Sequence, residues 1–536
     1  MAANNDTAPV SALVPSASLR NRRTFALGAE AGLVAALAML LTFGLLRLLL
    51  GIPTPPEAIP DRAAPLLPIP VFFGLFERFG GYNGLKQIGV LSITGGMLLV
   101  GVLLGVLYAA WRARTDTGAT PRRRRLSPDA LLVIALAVVW IGSLLIVLPV
   151  LPTNFRGLSP TPATSLFILG WLLAYSVFGA VLALVYGALV AGATPREAAG
   201  SPLGRRALLA TAGGAILALG VGAVMRTLTE RATFGYDGVQ YRGTNLTPIT
   251  PNDRFYSVTK NVVDPAPEVG QWRLEVGGMV SQGRTYTFDQ LRALPANDQE
   301  TTLMCISNGI DGGLMSNAVW RGVPLRALIE ASGPQAGAVE VILKGADGYT
   351  DTIAFAKAMD PTTMVVYSMN GEPLPQKHGG PARVIVPGLY GEKQVKWVTG
   401  LEVVPYDAKG FYETQGWGPN FAIQPRARID APDFATPAQA NTAVAVRGMA
   451  YGGDKGVSRV EFSGDNGQTW QPAQITYPGT RLSWAFWSAE WRPAAPGEYH
   501  LTARCTDGTG QVQTAEVRDI VAEGARGYHR ITARVV

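Results

Sequence analysis

The feature that most constrains this chain is the crowding of its apolar residues ahead of about Leu228. Five stretches there, Ala31–Leu50, Ile88–Trp111, Ala130–Pro152, Ser165–Ala193 and Ala207–Met225, are long and apolar enough to span a bilayer, which takes roughly 20 residues. They predict an N-terminal transmembrane helical bundle of about five spans. Of the whole chain only 16% of residues are charged and the mean hydropathy is +0.18, values that fit a protein partly in lipid. Arg47 falls near the end of the first span, where its long side chain reaches the headgroups.

The net charge of +7 does not indicate nucleic acid, because the excess arginine flanks the spans. Arg20, Arg22 and Arg23 precede the first. Arg112, Arg114 and Arg122–Arg125 lie between the second and third, and Arg196, Arg205 and Arg206 between the fourth and fifth. The loop after the third holds only Arg156. The positive-inside rule then predicts a multi-pass cell-membrane protein with a cytoplasmic N-terminus and everything after the fifth span outside, on the periplasmic side. Residues Pro53–Lys86 become an outer loop, whose segment Val71–Phe79 either lies flat at the interface or packs on the helices. The histidines, His378, His500 and His529, all follow the spans, so no transmembrane haem is expected. Intramembrane charge is sparse, which argues against a proton or ion pathway and for an anchor. Gly204-Arg205-Arg206-Ala207-Leu208-Leu209 has the look of a twin-arginine export signal, with Arg22-Arg23-Thr24-Phe25 a second candidate. Ordinary orienting arginines explain both equally well.

After a linker, Phe234–Pro251, the chain reads as short strands and a few helices. Strands are predicted at Trp272–Val276, Val339–Lys344 and Arg383–Pro387, and helices at Thr287–Leu294 and Pro324–Ala331. The mixture indicates an α+β domain, with no glycine-rich dinucleotide or phosphate loop. From about Ala431 strands recur at regular spacing: Val444–Gly448, Val457–Ser463, Gln471–Tyr477, Trp484–Trp491, Glu498–Ala503 and Gln511–Val517. Turns such as Gly464-Asp465-Asn466-Gly467 separate them, the pattern of an all-β, immunoglobulin-like sandwich. The predicted organisation is a cytoplasmic tail (1–24), an anchor (25–230), a catalytic domain (231–430) and the sandwich (431–536). The two cysteines, Cys305 and Cys505, fall in different predicted domains and form no disulfide framework.

Three segments carry chemistry. Met369–Trp397 (MNGEPLPQKHGGPARVIVPGLYGEKQVKW) combines a histidine, an arginine and a Gly/Lys-rich loop. Thr302–Asn308 (TLMCISN) sets Cys305 at the end of an apolar strand-like stretch, before polar residues. Asn252–Asn261 (NDRFYSVTKN) is aromatic and polar. Together they resemble the molybdopterin domain of the sulfite oxidase family, over roughly residues 245–530. The C-terminal sandwich, with GDNGQTW at Gly464–Trp470, is similar to that family's dimerisation domain. A molybdenum centre held by a pterin dithiolene takes one soft, anionic protein ligand, which a cysteine thiolate supplies. The pterin phosphate in turn calls for fixed cations and N–H donors.

The resemblance implies a molybdenum–molybdopterin cofactor with Cys305 as metal ligand and catalytic residue. Its cofactor contacts would be Asn252, Tyr256, Ser257, His378, Arg383, Gln394, Val395 and Lys396, while Cys505 would be core. It implies two-electron oxygen-atom transfer with a small oxyanion or sulfoxide substrate and an external electron carrier, such as cytochrome c or a membrane redox subunit. It also implies a homodimer through the C-terminal domain. The chain departs from the family at the substrate side. Gly309 and Ile310 follow Asn308 where sulfite oxidases carry arginines, and Val258 and Thr259 stand where another is expected. The family's active-site tyrosine belongs near Val404–Asn420, where Tyr406 and Tyr412 both fit poorly. The substrate therefore stays open between an oxidase-like one and a sulfoxide, as for the methionine sulfoxide reductase catalytic subunit. Readings of other classes are a non-enzymatic surface binding protein and a hydrolase using Cys305 with His378 as base.

Overall fold

The computed structural model describes residues 17–116, 127–192 and 205–536. Seven helices occupy the N-terminal part: α1 (Ala17–Leu50), α2 (Pro55–Ala63), α3 (Ile69–Arg78), α4 (Tyr82–Asp116), α5 (Pro128–Ile146), α6 (Pro160–Gly192) and α7 (Arg205–Glu230). Five of these, α1 and α4–α7, contain stretches long and apolar enough to cross a membrane. The arginines Arg122–Arg125 and Arg196, used above for orientation, lie outside the described residues.

The chain divides into two compact units. The first comprises Met1–Leu46, Val90–Ile146 and Ile168–Thr227. In it α1 and α4 meet backbone to backbone through Gly28, Gly32, Gly101 and Gly105. A Cβ on Gly32 would lie 2.3 Å from the Gly101 carbonyl oxygen, and one on Gly105 would lie 2.1 Å from that of Gly28. This is the small-residue spacing by which helices approach closely in lipid, where dispersion rather than water exclusion holds them. α5 buries none of its residues, although its hydropathy is 2.5. Burial in protein therefore does not account for its apolar surface.

The second unit comprises Arg47–Gly89, Val147–Phe167 and Leu228–Val536. The segment expected as an outer loop, Pro53–Lys86, is largely helical: it holds α2, α3 and the start of α4. Pro55 and Pro56 preset φ for the first turn of α2, and the Thr54 N–H is capped by the Glu57 carboxylate at 2.9 Å. The predicted third span likewise stops at Ile146, short of Pro152, because Pro149 allows only a 3-10 turn.

Residues 273–404 contain β1 (Arg273–Gly278), β2 (Arg284–Thr287), β3 (Asn297–Met304), β4 (Met315–Pro324), β5 (Glu340–Gly345), β6 (Thr350–Ala354), β7 (Met364–Met369), β8 (Glu372–Pro373), β9 (Arg383–Ile385) and β10 (Val398–Val404). The short helices α8 (Phe288–Arg292), α9 (Leu325–Ala331) and α10 (Phe355–Ala358) join them. One sheet runs β2-β1-β10-β5-β6, with only β1 and β10 parallel. The other runs β3-β4-β7-β8, with β9 also on β7. Trp272, Leu343, Val384, Val395 and Leu401 belong to the core between them. The α+β expectation is met.

The remaining strands, β11 (Arg426–Ala431), β12 (Val444–Tyr451), β13 (Val457–Ser463), β14 (Gln471–Pro472), β15 (Gln474–Tyr477), β16 (Ala485–Trp491), β17 (Gly497–Asp507) and β18 (Arg530–Val535), form a β-sandwich. Its sheets are β11-β12-β16-β15 and β14-β13-β17-β18. The predicted strand Gln471–Tyr477 is thus two strands in opposite sheets. The predicted strand Gln511–Val517 is not formed, apart from one bridge at Val512. There the Gln513 side chain turns inward, accepting from Ala427 N at 2.8 Å and Cys505 N at 3.1 Å. β18 completes that sheet instead. Cys505 is fully buried in the sandwich core, and both cysteines are free.

Candidate functional site

Cys305 directly follows β3, whose last four residues are buried, so the strand delivers the thiol to the edge of the core. Its backbone N–H is fixed by the Leu314 carbonyl at 2.9 Å, and Sγ lies 3.0 Å from the Ser307 hydroxyl. Burial pushes the free thiol up to about 11. Such a thiol is a poor nucleophile at neutral pH, and a metal would have to displace its proton. The sandwich braces this strand from behind. Tyr451 donates to the Thr302 carbonyl at 2.9 Å, and Arg426 donates to the carbonyls of Gly309 (2.7 Å) and Ile310 (3.2 Å) in the loop after Cys305.

His378 comes from the turn before β9, and Arg383 is the first residue of that strand. His378 is 1% exposed, lies edge-on to Phe255 at 5.3 Å, and donates through Nε2–H to the Asn252 carbonyl at 2.7 Å. Burial, with Lys396 and Arg383 nearby, holds its pKa down at about 3, so the ring is neutral. The pairing a cysteine hydrolase would need is therefore missing: Cys305 contacts Ser307, and the His378 Nε2 proton is committed to a backbone oxygen.

Arg383 is buried with its guanidinium 5.5 Å over the Trp320 ring. It donates to the carbonyls of His378 and Gln394, both at 2.9 Å, while its Nε finds no partner. Burial pulls its pKa down to about 10. Lys396 Nζ donates to the carbonyls of Lys377 (3.0 Å) and Val258 (3.1 Å) and to the Ser257 hydroxyl (3.3 Å). Burial lowers it to about 8. Among the described residues neither cation has a carboxylate within ion-pair distance. Two cations held by neutral carbonyls, one with an orphaned N–H, suit an anion.

The loop between β9 and β10 closes the arrangement. A Cβ on Gly391 would lie 2.8 Å from the Tyr256 hydroxyl, 3.3 Å from the Met304 carbonyl and 3.7 Å from Cys305 Cα, so only glycine lets these three segments meet. Tyr256, Ser257, Cys305, His378, Arg383 and Lys396 thus converge. Asn252 stands behind them, its amide bonded to Glu372 (2.9 Å) and Asn370 (2.8 Å). Gln394 and Val395 turn inward. The Gln394 amide donates to the Leu389 carbonyl, and Val395 sits in the hydrophobic core, so their side chains act through packing. Tyr406 is 55% exposed, whereas Tyr412 is half-buried beside Tyr349 and Trp417, its pKa raised by desolvation and by nearby charge including that of Cys305.

One residue the motif reading passed over is Glu392. Both its carboxylate oxygens are buried without a partner, and burial raises its pKa well above the usual range. Its position beside a glycine in a loop gave no signal, since only folding brings it among Tyr256, Tyr390 and Cys305.

The family model for the oxidoreductase molybdopterin binding domain matches residues 261–412, and that for the Mo-co oxidoreductase dimerisation domain matches 427–535. The chain belongs to the sulfite oxidase family. Mitochondrial sulfite oxidase of Rattus norvegicus is 29% identical over 341 residues, 54% of this chain and 62% of that protein. The NADH nitrate reductase of Solanum lycopersicum is 31% identical over 304 residues, 45% of this chain and 33% of that protein. The chain therefore spans less than two-thirds of either relative. Among solved structures, the sulfane dehydrogenase SoxCD from Paracoccus pantotrophus matches with a TM-score of 0.49 at 22% identity, covering 54% of this chain and 82% of that one. Membership of the sulfite oxidase family implies the molybdenum–molybdopterin cofactor, and the residues present fit it. Cys305 offers the soft ligand, and the unpaired Nε of Arg383 with the ammonium of Lys396 suits the phosphate.

Proposed function

We propose that this chain is a membrane-anchored, extracytoplasmic molybdenum oxidoreductase catalysing two-electron oxygen-atom transfer. The observation that carries the reading is the pair Arg383 and Lys396, held without an acid beside the part-buried thiol of Cys305. When bound, the cofactor supplies the two-electron couple and the transferable oxygen. The protein holds it: Cys305 by the metal, Arg383 and Lys396 by the phosphate, with His378 neutral and fixing the segment that carries Tyr256 and Ser257. In the oxidising direction a substrate gains one oxygen from water and releases two protons and two electrons. The electrons then pass to an external carrier, a cytochrome c or a membrane redox subunit.

The sandwich supports an immunoglobulin-like dimerisation domain, and the homodimer is proposed with it. The four-part organisation with its catalytic domain at 231–430 is proposed likewise. Topology is supported by the compact units. Both loops expected outside, 51–86 and 153–164, fall in the same unit as Leu228–Val536, which the positive-inside rule also sets outside. Export through the twin-arginine pair Arg205-Arg206 fits a domain that receives its cofactor before crossing.

The substrate is proposed as oxidase-like. Sulfoxide reduction is the second reading, favoured by Gly309 and Ile310 in place of cations, which disfavours a dianion. Molybdenum analysis of the solubilised protein tests the whole proposal, alongside turnover of sulfite and of a sulfoxide by wild type and Cys305→Ser. About one metal per chain and loss of turnover in the variant are expected; equal turnover in the two proteins would sink it.

A further inference from the structure

The aromatic segment Asn252–Asn261 is gripped from two sides. On one, Lys396 donates to the Ser257 hydroxyl and the Val258 carbonyl. On the other, the next three residues are held by charges from the stretch that joins the first two apolar helices. Lys86, near the start of α4 and 8% exposed, donates to the Thr259 carbonyl (2.6 Å), Asp237 Oδ2 (2.7 Å) and the Asn261 carbonyl (3.0 Å). An ammonium has three protons, and these three contacts, with a longer one to the Thr233 hydroxyl at 3.4 Å, use them all. Asp237 Oδ1 meanwhile accepts from Thr259 N at 2.9 Å, so one ion pair holds both the N–H and the C=O of Thr259. Lys260 pairs with Asp61 of α2 and donates to the Asp347 carbonyl at 3.0 Å. Asn261 bonds Asp264 and Asp347, each at 3.0 Å.

We propose that this inter-helix segment is a working part of the cofactor site, with Lys86 and Asp61 as positioning residues for Ser257 and Lys396. The inference rests on reading Lys396 as a phosphate contact. Thr259 lies one residue beyond the Val258 carbonyl that orients the Lys396 ammonium. A shift of Thr259 therefore moves a donor that must sit within hydrogen-bond distance of its anion. Lys86, Thr259 and Asn261 are buried, so water cannot replace a missing partner there, and a lost one is felt by the atoms it held. The anchor then does more than tether: residues 51–86 complete a site that the catalytic region alone leaves open on one flank.

The test uses the full-length protein in detergent, with Lys86→Met, Asp61→Asn and Asp61→Glu. Pterin per folded chain is read from the fluorescence of the oxidised pterin released on denaturation, and Tm is measured beside it. Lys86→Met is expected to hold about tenfold less pterin, as loss of an outer-shell partner does. Asp61→Asn should show a smaller loss and Asp61→Glu should retain the cofactor. Wild-type pterin content in Lys86→Met, even with a lowered Tm, overturns the proposal. If Lys86→Met does not fold, wild-type content in Asp61→Asn overturns it. Wild-type protein without pterin would instead refute the molybdopterin reading beneath it.

Discussion

Acidification should weaken this protein through His378 in particular. The ring is 1% exposed and its pKa is held at about 3 by burial, against about 6.5 in an unfolded chain. Because the folded-state value is the lower one, the unfolded chain binds a proton that the folded chain refuses once the pH falls below about 6.5. The stability contributed by keeping His378 neutral is complete above that pH and declines as pH falls toward 3, by about 1.4 kcal/mol per pH unit. Between pH 7 and pH 5 the loss amounts to about 2 kcal/mol. His529, held at about 4 mainly by burial, acts in the same direction from the sandwich, so the contribution of His378 is isolated by a variant. His378→Gln keeps a donor toward the Asn252 carbonyl and cannot titrate. At roughly 2 °C per kcal/mol for a folding unit of this size, the wild-type Tm should drop about 4 °C more than that of the variant over this pH range. The measurement is calorimetry of the cofactor-free proteins in detergent. Equal drops would refute the reasoning, since they would mean that the ring is protonated in the fold or already solvated.

Further outcomes follow from the site. Cys305→Ser should leave Tm within about 1 °C of wild type, because the thiol is only part-buried and bonds one hydroxyl, while molybdenum falls below detection by elemental analysis. As pH rises toward 8, cofactor rebinding to the cofactor-free protein should strengthen, because the Cys305 thiol sheds its proton to the metal more easily; above about 8 it should level off, because Lys396 loses the proton that attracts phosphate, whereas Lys396→Met should go on strengthening in a fluorescence titration. Gly391→Ala should keep the fold but lose most of the pterin, because its Cβ would lie 2.8 Å from the Tyr256 hydroxyl and push that segment from Cys305.

Much of the candidate site could be proposed from sequence because its residues sit in contiguous strings. Cys305, His378, Arg383 and Lys396 lie in short motifs whose residue types announce a soft ligand and an anion site. Apolar length located the five long helices, although the Gly28/Gly32 and Gly101/Gly105 spacings that join two of them went unread. Element boundaries failed where pairing shrank to isolated bonds, as at Val512 and Gln513, or where proline cut a helix short after Ile146. Glu392 and Arg426 were invisible because their role comes from neighbours more than 80 residues away in sequence.

The sequence by itself determined the kinds of group this protein can use: one thiol poised at a strand end, a few cations, a histidine and a run of apolar helices. Local composition and spacing suffice for that. The tertiary structure alone decided which cations lack acids, that Gln394 and Val395 face inward, and that Lys86 and Asp61 of the inter-helix segment grip Thr259 and Lys260. Those outcomes depend on which buried partners long-range packing brings within hydrogen-bond reach, and no local pattern encodes that.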